Sequence, residues 1–210
     1  MVVRQSAEPI KSGLPWQLLL AAASCVAVYL FPGLSDPLVY DRQAILAGDL
    51  WRLVTGHLVH FSPAHLFFNL LGFVTAGLIV WRRGYSRFWI LCAISSLTIS
   101  VALLLDPDVT SFGGISGLVN AAVVFAATRG IGEGGRWRWF SVAILILTVV
   151  NSVLEAMTGR PTFAIQGDQS FVPVPFSHLI GGLTGAIMGL DPLRLPKGRK
   201  CQDERGNIMS

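Results

Sequence analysis

The chain has 210 residues, of which 52% are hydrophobic and only 13% are charged, with a mean hydropathy of +0.60. Soluble domains carry about 25% charged residues, so an ordinary water-soluble fold is excluded. The net charge of +4 does not mark a nucleic-acid partner, because the positive residues lie beside the ends of apolar blocks, as membrane topology requires.

A helix needs about 20 apolar residues to cross a bilayer. Six blocks approach that length: 14–31, 64–80, 88–105, 115–127, 140–153 and 176–190. They predict an all-α polytopic membrane protein with six transmembrane helices, and leave no stretch for a separate soluble domain. Residues 1–13 then form an N-terminal arm, 14–190 the membrane domain, and 191–210 a basic tail. The arm and first block share features with a secretory signal, and Ala23-Ser24-Cys25 with a lipoprotein cleavage site. Apolar sequence runs straight past both, so a retained first helix is expected. The outer loop 32–63 mixes Asp36, Asp41, Arg42, Asp49 and Arg52 with many apolar residues. It reads as a partly folded interfacial segment with Trp51 at headgroup depth. Cys25 and Cys92 fall in spans and Cys201 in the tail, without a disulfide framework or a CxxC pair.

With the N-terminus inside, the inner segments hold 13 of the 16 Lys and Arg residues, and the outer ones hold Arg42, Arg52, Arg160 and seven of the twelve acids. This bias predicts cytoplasmic N- and C-termini. The second, fourth and sixth helices would then all begin at the outer face. The unusual polar residues lie there: His65 and Asn69, then Ser116 and Asn120, then His178. The odd-numbered helices carry no ionisable residue in their expected interiors.

Gly113-Gly114-Ile115-Ser116-Gly117 opens the fourth helix. A hydroxyl there sits beside unpaired N–H groups and the positive end of the helix dipole, which suits a developing oxyanion. It equally suits a glycine-rich helix contact with a serine bonded to its own chain. All four histidines, His57, His60, His65 and His178, lie near the outer face. An intramembrane ionisable group is a functional candidate by default. A metal at His57, His60 and His65, or haem ligation by His65 and His178, would also use them, although the spacing is a weak zinc signal. His65 and Asn69 share a helix face and form either an oxyanion-binding pair or interhelical glue. His178, Gly181, Gly185 and Gly189 make a glycine ladder that lets a neighbouring helix approach closely. If that neighbour is the fourth helix, Ser116 and His178 become a nucleophile and its general base. Asp168 and Glu155 are the outer acids considered as a third member, but no spacing nominates either, so a dyad is the economical reading.

These residues resemble the rhomboid intramembrane serine proteases. The match runs from Gly48-Asp49-Leu50-Trp51-Arg52 through His60-x4-His65-x3-Asn69 and Gly114-Ile115-Ser116-Gly117 to His178-x2-Gly181-x3-Gly185. The resemblance implies a six-helix rhomboid-like bundle with a water-filled cavity open to the outside. It implies Ser116 as nucleophile, His178 as base, and His65, Asn69 and backbone N–H groups as oxyanion donors. Trp51, Arg52 and His60 would be structural residues of the outer loop. Rhomboids often carry a tyrosine four residues after the nucleophile; this chain has Asn120. The short form and Thr55-Gly56-His57-Leu58-Val59-His60 resemble the rhombosortase branch, associated with cutting C-terminal glycine-glycine sorting segments of exported proteins.

The expected function is intramembrane serine endopeptidase, acting on single-pass or C-terminally anchored membrane proteins in the bilayer, with no cofactor and no metal. The expected place is a bacterial inner (plasma) membrane, as a multi-pass protein. The rival is a non-catalytic rhomboid-like protein that binds and routes transmembrane segments; it would lack the serine or the base histidine. A transporter would want carboxylates inside the spans, and Glu155 is expected at a span end.

Overall fold

The computed structural model describes residues 15–159 and 174–190. The arm 1–13, Asp168, Arg160 and the tail 191–210 lie outside the described residues. The elements run α1 (Trp16–Leu30), α2 (Pro32–Leu38), β1 (Tyr40–Asp41), α3 (Arg42–Leu46), α4 (Arg52–Thr55), a 3-10 turn (Gly56–Leu58), α5 (Pro63–Arg82), α6 (Phe88–Leu104), β2 (Ser111–Phe112), α7 (Ser116–Ile131), α8 (Gly135–Thr158) and α9 (Pro175–Gly189). The fold is mostly helical. Each of the six apolar blocks becomes one long helix: α1, α5, α6, α7, α8 and α9.

By length and composition α5 and α8 are long and apolar enough to cross a membrane, or three spans if bent α1 and α2 count as one. Helices α6 and α7, at 17 and 16 residues, are shorter apolar helices. Length alone thus supports fewer than the six spans expected. Between α1 and α2 the chain bends by 107°. Pro32 is the cause: it lacks an N–H to continue α1 and drives the preceding Phe31 out of the helical region, to φ −115° and ψ 85°.

Helix α7 is central, with α5, α6, α8 and α9 packed around it. Its core side is small and apolar: Gly117, Ala121, Ala122, Val124, Phe125, Ala126 and Ala127 are buried. The closest packing is α7 on α9. A Cβ at Gly181 would overlap the Gly117 carbonyl oxygen, and one at Gly185 would overlap that of Ala121. Only glycine permits this backbone approach. Helices α5, α6 and α8 turn large apolar side chains outward, among them Phe67, Leu97, Ile146 and Val150. Such a surface is stable against lipid rather than water.

The 32–63 segment folds into α2, β1, α3, α4 and the 3-10 turn, held by polar contacts. Arg52 donates to the carbonyls of Asp36 (2.9 Å) and Val39 (2.8 Å) and pairs with Asp49 (3.0 Å). Trp51 Nε1 donates to the Pro37 carbonyl at 3.0 Å, and Thr55 Oγ1 to that of Leu38 at 2.8 Å. Trp51 and Arg52 are therefore the internal clasp of this loop. Antiparallel β1–β2 pairing, Tyr40 with Phe112 and Asp41 with Ser111, fastens the loop to the segment just before Ser116. Arg42 adds a bond to the Leu104 carbonyl at the end of α6, at 2.5 Å.

At the opposite end of the bundle, Glu133 accepts from Arg83 and from Tyr85. Trp137 Nε1 donates to Tyr85 at 3.2 Å, and the Arg83 guanidinium lies 4.3 Å from the Trp137 ring centre. This cluster ties the α5–α6 turn to the α7–α8 turn.

Candidate active site

Four elements bring their ends to one place. Ser62 caps α5 by accepting from the His65 N–H at 3.2 Å, which fixes the first turn that carries His65 and, one turn on, Asn69. Against that turn lies Gly114 in the left-handed region at φ +116°. A Cβ at Gly114 would stand 2.7 Å from the His65 ring and 3.2 Å from Asn69 Nδ2. Gly114 is thus required twice, by its torsion and by the approach of the imidazole. Gly113 is similarly pressed by the Phe61 ring and the Val59 carbonyl.

Helix α7 begins at Ser116, two residues beyond that contact, so its first unpaired N–H groups lie beside the serine. Gly117 meets the Ser177 backbone, 2.9 Å from where a Cβ would stand. That contact aligns the starts of α7 and α9, bringing the neighbours Ser116 and His178 to one cavity. Its volume is about 940 Å³, and its lining includes His65, Asn69, Ser116, Asn120, Glu155 and His178. Among the described residues no hydrogen bond joins Ser116 to His178 or Asn120 to His178, and Asn69 Nδ2 has no hydrogen-bond partner. Catalytic bonds commonly tighten only when substrate is bound.

His178 Nδ1 lies 2.6 Å from Glu155 Oε2, with the carboxylate side chain only 4% exposed. This corrects two expectations. The expected fifth helix ended at residue 153 with Glu155 at its margin, whereas α8 runs to Thr158 and stops at Gly159, which adopts the left-handed turn at φ +64°. The carboxylate stays inside the helix because the imidazole satisfies it, which a count of apolar residues cannot register. Glu155 stays in the last turn of that helix, but it has a partner in His178, where the sequence nominated no acid.

A rhomboid domain model matches residues 47–193, a stretch covering every element of the cavity. The chain belongs to the rhomboid family. It is 33% identical over 126 residues to the rhomboid protease GlpG of Enterobacter sp. (strain 638), covering 55% of this chain and 44% of that one. It is 27% identical over 161 residues to the rhomboid protease GluP of Bacillus subtilis (strain 168), covering 75% of this chain and 29% of that one. A third relative, GlpG of Salmonella paratyphi A, is 30% identical over 135 residues, covering 61% and 46%. The chain thus spans less than half the length of these rhomboid relatives.

In this rhomboid domain the loop histidines His57 and His60 are buried and bond to backbone carbonyls. His57, buried beneath Phe112, sets Nδ1 3.3 Å from the Gly114 carbonyl and Nε2 3.2 Å from both the Ser96 carbonyl and Ser100 Oγ. Both ring nitrogens are engaged, so His57 is committed to the frame rather than to a ligand. It links the outer loop, α6 and the Gly114 turn. The sequence offered no signal separating it from the other histidines. His60 is buried too and donates from Nδ1 to the Leu58 carbonyl at 3.0 Å. Among the described residues, no three His, Cys, Asp or Glu side chains converge as a metal site.

Burial pushes both loop histidines toward the neutral form: His57 well below its ordinary value, and His60 to about 4 from 6.5. In acid the unfolded chain takes up protons that the folded loop refuses. Stability from His60 is present above pH 6.5 and is lost as pH falls toward 4, by up to roughly 1.4 kcal/mol per pH unit, and His57 acts in the same direction. The melting temperature in detergent should therefore fall steadily across that window. A flat profile down to about pH 4.5 contradicts this account.

Proposed function

We propose that the chain is an intramembrane serine endopeptidase with Ser116 as nucleophile and His178 as general base. The observation that carries this reading is the single cavity reached by Ser116, His178, His65 and Asn69. His178 takes the Ser116 hydroxyl proton as Oγ attacks the substrate carbonyl carbon. The oxyanion formed is held by His65, Asn69 Nδ2 and the first N–H groups of α7, whose dipole favours negative charge. Collapse breaks the C–N bond, His178 returns the proton to the leaving amine, and water then hydrolyses the Ser116 ester by the same exchange.

Six helices would cross the bilayer with both termini in the cytoplasm of a bacterial cell, opening the cavity to the outer side from which water enters. The substrate would be a single-pass or C-terminally anchored membrane protein with a helix-weak stretch of small residues, because a backbone bond must be exposed for attack. The Thr55–His60 segment supports the rhombosortase branch and C-terminal glycine-glycine sorting segments as targets.

The test is cleavage of a reporter transmembrane segment by purified protein in proteoliposomes, with the cut mapped by mass spectrometry. A cut within the outer half of the segment is expected; cleavage confined to soluble loops overturns the reading. In the same assay Asn69→Ala should lower kcat by roughly 10²–10³-fold, as loss of one oxyanion donor does elsewhere. An undiminished rate would remove Asn69 from the site.

A further inference from the structure

We propose that Glu155 is the positioning residue for His178, so that the cavity holds a Ser116–His178–Glu155 relay rather than a dyad; this rests on the protease reading above. Three observations meet here. Glu155 Oε2 is 2.6 Å from His178 Nδ1. Glu155 is 3% exposed, on the side of α8 that also buries Ser152 and opposite to the outward Val153 and Leu154. Both partners line the cavity that contains Ser116.

A carboxylate is expensive to bury in an apolar bundle unless it is paired and hydrogen-bonded. What the carboxylate supplies is direction. An ionised carboxylate only accepts, so His178 Nδ1 must carry a proton and donate it. In the neutral ring the lone pair then resides on Nε2, the nitrogen left to receive the Ser116 proton. When that proton arrives, the imidazolium lies against a negative charge. Glu155 thereby fixes the tautomer, restrains the ring and stabilises the charged intermediate, without exchanging a proton itself. In this chain Asn120 stands where rhomboids often carry a tyrosine, and it makes no hydrogen bond to His178 among the described residues. The base is held from α8 instead of from α7.

Glu155→Gln keeps the shape and removes the charge, and its amide can donate to Nδ1, selecting the wrong tautomer. Steady-state cleavage in proteoliposomes should show kcat reduced about 10²–10⁴-fold with KM within about threefold, because the Glu155 side chain is only 4% exposed and acts through the His178 ring. A folded Glu155→Gln protein with wild-type kcat overturns the proposal. The second measurement needs no variant of Glu155. The ¹⁵N NMR spectrum of histidine-labelled wild-type protein, with His178 assigned by difference from His178→Ala, reports the tautomer of the neutral ring. Nδ1–H is expected, and Nε2–H overturns the relay. Wild-type protein that cleaves no transmembrane segment would overturn the protease reading itself. Wild-type protein that cleaves, and does so equally well as Glu155→Gln, would overturn Glu155 alone.

Discussion

Alanine at Ser116 or at His178 should abolish cleavage of a transmembrane reporter, Ser116→Ala with an unchanged melting temperature and His178→Ala with a lowered one, because it leaves the buried Glu155 carboxylate without its imidazole. Ser116 is the first residue of α7 and lines the cavity, so removing its hydroxyl leaves the α7–α9 contact intact and takes away the only nucleophile this account provides. His178→Ala removes the proton acceptor from the same cavity. Where such residues act as a unit, losing either one costs about as much as losing both, roughly 10⁶-fold in kcat for a soluble serine protease. The double variant should therefore be no slower than either single one. Cleavage measured in proteoliposomes checks this. A single variant retaining more than about a hundredth of the wild-type rate would mean that the chemistry runs through another group.

The second large effect falls on packing. Gly181→Ala places a methyl group on the Gly117 carbonyl oxygen, and the obstacle is backbone, which cannot rotate aside. Overpacking a tight interior costs about 1–3 kcal/mol and often more where backbone must shift. To relieve it, α9 must move off α7 and carry His178 away from Ser116. A displacement of about 1 Å at reacting groups costs roughly 10²-fold in rate, so activity and melting temperature should fall together. Gly182→Ala is the control. Its added carbon would meet nothing nearer than Val124 Cγ2 at 3.7 Å, an ordinary contact, and neither quantity should change. Equal behaviour of the two variants would contradict the close α7–α9 approach.

The contrast between what the sequence disclosed and what it hid follows from the physics of each feature. Helix positions were legible because lipid-facing surface demands continuous apolar sequence, and six blocks stood out. The Gly181 and Gly185 ladder was legible because a four-residue repeat of glycine is a groove by itself. Trp51 and Arg52 were assigned to the loop through family resemblance, and the structure supplies their partners: carbonyls of Asp36, Pro37 and Val39, 13 to 16 residues earlier. His57 was hidden because its value depends on carbonyls from residues 96 and 114, which no local pattern reveals. Glu155 was hidden for the same reason, since its partner lies 23 residues away on another helix. A stricter use of one rule would have found it: an acid next to an apolar run deserves a named partner before it is set aside. The helix boundary erred at that residue because block length counts apolar side chains, while the fold counts satisfied ones.

The decisive measurement is covalent. Purified protein in detergent, treated with a fluorophosphonate and digested, should yield a single adduct whose mass maps to Ser116, and His178→Ala should slow its formation by several orders of magnitude. An active preparation that labels elsewhere, or a His178→Ala protein that labels Ser116 at the wild-type rate, would contradict the account.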